Sequence, residues 1–215
     1  YMCGERGTLR HILSGCQVSL TQGRYTWRHD KVLSEIAEAL EQERKKKNTK
    51  RQGLTFINFL KPGQTSQHKD QEAVGLMKSG TWNMRADLNQ KLVFPQEIVT
   101  TQLRPDIVLW SEDTRQVALV ELTVPWEERV EISHHLKREK YAELQAECVE
   151  KGWKTWVFPV EVGCRGFPAQ SLWNMFRTLG VTGKLRSTAV AKAGDAAEKA
   201  SCWLWMRREQ RTWCP

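Results

Sequence analysis

Two carboxylates in the segment "RPDIVLWSEDTRQVALVELTV", residues 104 to 124, have the spacing to act together. Asp106 opens one apolar run, Glu121 stands near the end of the next, and the polar stretch "SEDTR" separates them. If that stretch is a turn, a hairpin centred between Asp113 and Thr114 sets Asp106 opposite Glu121, with Cβ atoms roughly 4.5–5.5 Å apart on one face of the sheet. Like charges so placed repel unless both are solvated or something cationic lies between them. A slip of one residue would send them to opposite faces. Val117, Leu119, Glu121 and Thr123 alternate with Ala118, Val120, Leu122 and Val124, so both faces are largely apolar and the sheet is expected to be covered on both sides. A Glu in such a strand is costly to bury alone, and a divalent metal with oxygen ligands would remove the cost.

The next stretch, "PWEERVEISHHLKREKYAEL", reads as the start of a long helix from about 126 to 150. Pro125 suits its first position, and Glu127 and Glu128 complement the dipole in its first turn. Lys137, Lys140, Tyr141 and Leu144 share one side of it. The two lysines are either a solvated basic stripe or a reach toward the carboxylates, where an ammonium could steady charge developing in phosphodiester cleavage.

A second group of chemically capable residues opens the chain. "CGERGTLRHILSGC" puts seven residues between Cys3 and His11 and four between His11 and Cys16. Thiolate and imidazole are good Zn2+ ligands, and a structural site needs four. A further Cys just before Tyr1 would complete a C-x-x-C pair, and His29 is the other candidate. The chain starts at Tyr1 and reads as a fragment of a longer polypeptide. Arg24, Tyr25, Trp27, Arg28 and His29 then alternate cationic and aromatic groups. They could stack on bases and contact phosphates, or pack the opening segment against the next helix.

Periodicity assigns these residues to elements. Asp30 is a suitable N-cap for "DKVLSEIAEALEQERK", whose apolar residues fall at helical spacing. That helix runs into Arg44, Lys45, Lys46, Lys47, Lys50 and Arg51, a run that is either a solvated linker or a phosphate contact. Strands are expected at 53 to 60, at "LVFPQEIV" (92 to 99), at "DIVLW", at "VALVELTV" and at "TWVFPVEV", with a loop over 61 to 80 and helices near 169 to 179 and 184 to 207. That order predicts an α/β sandwich of moderate size. Asp87 and Glu97 are minor candidates for a further acid, and Glu161 and Arg165, beside two glycines in "EVGCRGF", either line the edge of a site or lie at a turn after a core strand.

Composition sets the outer limits. The 215 residues carry 33 Lys and Arg against 25 Asp and Glu, a net charge of +8, and 40% are apolar. That is a folded basic chain suited to a polyanionic partner, and neither a disordered tail nor a membrane span. Six irregularly placed Cys do not form a dense disulfide framework and point to a reducing compartment.

"RPD" at 104 to 106, a gap of 14 residues and "ELT" at 121 to 123, on paired strands followed by a helix, resemble the restriction-endonuclease-like nuclease core. Its motif is Pro-Asp, a spacer, then Asp/Glu-x-Lys. The resemblance implies a mixed β-sheet flanked by helices, with Asp106 and Glu121 holding Mg2+ or Mn2+ that activates a water for attack on a phosphodiester. Thr123 occupies the motif's Lys position. Either Lys137 or Lys140 has taken that role, or the core is inactive. From Cys3 to about Gly180, including "FPQEI", "LRPDIVLW", "ELTVPWEE", "KREKY" and "EVGCRGF", the chain resembles the C-terminal region of polyproteins from non-LTR retrotransposons that carry such a nuclease behind a Cys-Cys-His-Cys zinc knuckle. This resemblance implies a partial knuckle at 1–29, with Cys3, His11 and Cys16 on Zn2+, a basic helix and linker at 30–52, and the nuclease at 53–207. It further implies nuclear DNA as target, element RNA as a possible partner, an upstream reverse transcriptase, and nicking that exposes a 3′ end for priming.

Overall fold

A computed structural model describes residues 3–52 and 75–214, so the strand expected at 53 to 60 and most of the loop expected at 61 to 80 lie outside the described residues. The chain is mixed α/β, with a four-stranded sheet in the order β1 (Asn83–Ala86), β2 (Ile107–Ser111), β3 (Gln116–Thr123), β4 (Lys154–Glu161). The first three strands are antiparallel, and β4 joins β3 in parallel. Between β3 and β4 the chain forms a short 3₁₀ turn at Glu127–Arg129, then α4 (Val130–Lys140) and α5 (Ala142–Glu150). The remaining helices are α1 (Leu9–Ser14), α2 (Gln17–Thr21), α3 (Arg24–Gln52), α6 (Gln170–Leu179) and α7 (Gly183–Met206), with a second 3₁₀ turn at Leu76–Lys78. None of the described helices is long and apolar enough to cross a membrane.

Period-two alternation builds two cores from one hairpin. Ile107, Leu109, Ala118, Val120 and Leu122 enter the core shared with α3, α6 and α7. Val108, Trp110, Val117 and Leu119 enter the other, with Tyr141, Leu144 and Cys148 above them. The sheet is therefore covered on both faces, which is why its central strands are apolar on both sides.

Several elements depart from the sequence expectation. Residues 92 to 99 form no strand: Pro95 has no N–H to give a ladder and instead begins a turn in which Ile98 N–H donates to Pro95 O. Leu92, Phe94, Ile98 and Val99 nonetheless fill the second core. The strand that pairs with β2 is "NMRA", too short and polar to announce itself. The expected helix over 126 to 150 is interrupted at Tyr141, whose backbone leaves helical geometry at φ −103°, ψ 5°. Pro125 precedes the 3₁₀ turn and does not open α4. Helix α3 starts at Arg24, so Asp30 lies inside it and the boundary expected at 29/30 crosses a continuous helix.

Arg24 and Arg28 explain that earlier start. Arg24 is 1% exposed, and its guanidinium donates to Arg207 O and Gln210 O at 2.8 and 2.6 Å. Arg28, also buried, donates to Ser201 Oγ and Val124 O. Arg24 ties α3 to the end of the chain, Arg28 ties it to α7 and to the exit of β3, and neither guanidinium is exposed to a phosphate. Arg24→Met leaves carbonyls of the C-terminal segment without a charged donor, and is expected to cost about 1–3 kcal/mol. Thermal unfolding should show it as a loss of roughly 2–10 °C, with faster amide exchange confined first to residues 207 to 210.

Candidate functional site

Asp87, Asp106 and Glu121 form one row across the sheet. The β2–β3 register pairs Ile107 with Val120, which places Asp106 opposite Glu121 one step beyond the ladder. This is the register expected from the turn. On the other side β1 ends at Ala86 opposite Ile107, and Asp87 N–H donates to Asp106 O at 2.8 Å. Cross-strand partners share a face, so the three carboxyl-bearing residues line up on the side covered by α4 and α5.

Each acid has its own cation. Arg104 donates to Asp87 Oδ2 at 2.8 Å, and Leu92 N–H holds Oδ1 at 2.6 Å. Asp106 Oδ2 accepts from Leu122 N–H at 2.6 Å and faces His29 Nε2 at 3.3 Å. Glu121, with its side chain 4% exposed, accepts from Lys137 Nζ at 2.6 Å and Lys140 Nζ at 3.1 Å on Oε1. The Tyr141 hydroxyl donates to Oε2 at 2.7 Å. The protein thus supplies a cation to each acid of the hairpin, the two ammonium groups to Glu121 and the His29 imidazole to Asp106, and the lysines reach a carboxylate instead of forming a solvated stripe.

The helix break serves this site. Tyr141 is fully buried, and its hydroxyl lies within hydrogen-bonding distance of both Glu121 and Arg104 O. Burial, then the neighbouring Glu121 charge, push the phenol's pKa up, so it stays a donor to the carboxylate. His29 is held the other way. Burial opposes its charge, but the bonds to Asp106 and Asp30 outweigh that and raise its pKa to about 9. It is an imidazolium at neutral pH. His29 therefore belongs to the carboxylate row and is not the fourth ligand of the opening cluster.

A second polar group lies beside the row. Thr123 pairs with Glu161 in the parallel register, and Glu161, 1% exposed, takes bonds from Ser171 Oγ at 2.6 Å and His134 Nδ1 at 3.1 Å. The Thr123 hydroxyl oxygen is buried without a partner among the described residues. Arg165 lies elsewhere, bound to Glu127 and stacked 4.5 Å over Trp126, while Glu97 is exposed in the turn after Pro95.

The opening cluster is brought together as its spacing suggested. Cys3 Sγ is 3.2 Å from His11 Nε2, and the ligand atoms of Cys3, His11 and Cys16 lie within 4.8 Å of one another, so the three could hold a metal ion. Burial opposes the Cys16 thiolate, but bonds from the Ser19 backbone and side chain and from Cys3 outweigh it and lower the pKa, which favours the ligating form. Among the described residues Asp106 and Glu121 belong to no comparable three-donor group.

The remaining nucleic-acid candidates divide. Tyr25 is half-buried, its hydroxyl bonded to Cys16 N–H and Ile12 O, and it packs the opening segment. Trp27 is half-buried against Trp213. Lys45 and Lys46 are mostly exposed, and Lys47 pairs with Glu43 at 3.4 Å. The acids one turn earlier, Glu41 and Glu43, offset part of this run's charge. Lys50 and Arg51 lie in the last turn of α3, with side chains outside the described residues.

Sequence reasoning did not connect His29 with an acid of the row, and it missed His134. His29 carried a signal, an aromatic-basic cluster next to an acid, but only the packing of α3 on the sheet end shows which acid it meets. No protein-family model matches this chain, and none of the curated proteins compared with it matches its sequence.

Proposed function

We propose that this chain is the restriction-like endonuclease part of a non-LTR retrotransposon polyprotein. It nicks target DNA in the nucleus so that an upstream reverse transcriptase can prime on the exposed 3′ end. The observation that carries the reading is the meeting of Lys137, Lys140 and Tyr141 with Glu121, directly across from Asp106. Thr123 has lost the motif lysine, and a helix supplies ammonium groups to the same carboxylate instead.

Asp106 and Glu121 are the residues that would hold Mg2+ or Mn2+, and their oxygen donors suit such hard cations. Bound there, the ion would supply an activated water and offset phosphodiester charge. The chain's own residues have separate tasks. Leu122 N–H and His29 fix the orientation of Asp106, and Tyr141 fixes that of Glu121. Lys137 places an ammonium beside the carboxylate, where it can steady negative charge developing on a phosphate oxygen. The exposed Lys45 and Lys46 of α3 contribute to holding the DNA backbone. The test is conversion of supercoiled plasmid to open circles, in Mg2+ or Mn2+ and in EDTA.

A second reading, a nucleic-acid-binding module with an inactive core, draws on the same geometry. Both Glu121 oxygens already take bonds from protein donors, so the acid is satisfied as it stands. Under that reading DNA is bound in a salt-dependent way and never cut.

We also assign Zn2+ to Cys3, His11 and Cys16. Reconstitution should give one Zn2+ per chain by elemental analysis, and Cys16→Ser should bind it at least roughly tenfold more weakly. Equal retention by the variant would refute the assignment.

A further inference from the structure

Helices α3 and α7 pack closely, but beside Trp27 and Trp203 their contact opens into a groove of about 480 Å³. Trp27, Lys31 and Glu35 line one wall at helical spacing, and Lys192, Lys199 and Trp203 line the other. Ala196 and Ala200 lie between the α7 groups, and their short side chains leave a trough where larger ones would close it.

The two indole rings lie in cationic surroundings. Lys31 Nζ is 5.7 Å from the Trp27 ring centroid, and the Arg207 guanidinium is 3.9 Å from that of Trp203. Both tryptophans are half-buried and line the groove, Trp27 with Trp213 packed against it at 5.3 Å. Glu35 is balanced by Lys192 at 3.6 Å, whereas Lys31 and Lys199 make no ion pair within 4.0 Å among the described residues. Asp195 also lines the groove, so three lysines face two acids and the lining is net positive.

Aromatic surface between cations suits a ligand with flat apolar faces and regular negative charge. The geometry points to a site for single-stranded nucleic acid, with one or two bases against Trp27 and Trp203 and the backbone along Lys31, Lys192 and Lys199. The volume is that of a small-molecule pocket, large enough for one or two nucleotides. Stacking on indole needs a base with a free face, which a duplex does not offer, so the groove should prefer single strands. An acidic peptide would use the lysines but gain little from the rings. This inference is independent of the carboxylate row, because it concerns binding and not cleavage.

The test uses the whole chain and a fluorescein-labelled 15-nucleotide oligo-dT, followed by anisotropy, with the same-length duplex and poly-glutamate as competitors. Trp203→Ala should weaken oligo-dT binding roughly 5- to 150-fold. Lys192→Glu/Lys199→Glu, at exposed positions, should weaken it at least tenfold and flatten its salt dependence. Ala196→Leu, which fills the trough and leaves every charge in place, should weaken it too. Unchanged affinity in the lysine variant and in Ala196→Leu would overturn the site, even if Trp203→Ala failed to fold. Competition by poly-glutamate or duplex as effective as by unlabelled oligo-dT would overturn the preference for single strands.

Discussion

Replacing Lys137 and Lys140 together by Met is expected to reduce metal-dependent nicking at least ~100-fold and to destabilise the fold by about 3 kcal/mol. Glu121 is almost fully buried, and the two ammonium groups are its only cationic partners among the described residues. Without them a carboxylate stays inside the sheet layer with one phenol for company. The two lysines are not equal. Lys137 is the closer, at 2.6 Å with its side chain 28% exposed, whereas Lys140 is 3.1 Å away and 41% exposed, so solvent screens it more. Lys137→Met alone should therefore account for most of both losses. Urea denaturation gives the stability change, and plasmid nicking at matched folded fraction gives the catalytic one. A double variant as stable and as active as the parent would mean that the lysines are a surface stripe after all.

The second large effect is a pH dependence set by His29. Its pKa rises from 6.5 to about 9 in the folded chain, because the bonds to Asp106 and Asp30 outweigh the penalty of burial. A group whose pKa is raised on folding stabilises fully below its unfolded value and loses that contribution as pH climbs through its folded value. His29 should thus contribute on the order of 3 kcal/mol below about pH 6.5. The contribution should decline from there to about pH 9 and vanish above it. His29→Gln removes the titration, so the difference in urea midpoint between parent and variant should shrink over that interval. A constant difference from pH 6 to pH 10 would show that His29 is not the titrating partner of Asp106.

The hairpin was legible because three independent features fixed it. A polar turn set the centre, apolar alternation set the faces, and the two acids fell on opposite sides of that centre. The reach of Lys137 and Lys140 was legible as spacing along a helix, although spacing alone could not choose between solvent and sheet. The break at Tyr141 was not, because only the buried Glu121 beneath it explains why a continuous helical pattern stops there. β1 was missed since a four-residue strand with no apolar period carries no signal of its own. Residues 92 to 99 misled for the opposite reason: their apolar pattern reports burial in the second core, and Pro95 prevents that burial from taking the form of a strand. The start of α3 was misplaced because Asp30 resembles an N-cap, while the residues that extend the helix backward, Arg24 and Arg28, are used in clamps made with residues far along the chain.

Whether the carboxylate row cleaves phosphodiesters is decided by nicking of supercoiled plasmid with the parent chain, Asp106→Asn and Glu121→Gln. Folding of each variant is checked by circular dichroism. Open circles are expected from the parent with Mg2+ or Mn2+, none in EDTA, and at least a ~100-fold slower rate from either variant. A parent chain that is folded, binds the plasmid in a salt-dependent way and leaves it supercoiled with both metals would overturn the nuclease reading and leave the binding module in its place.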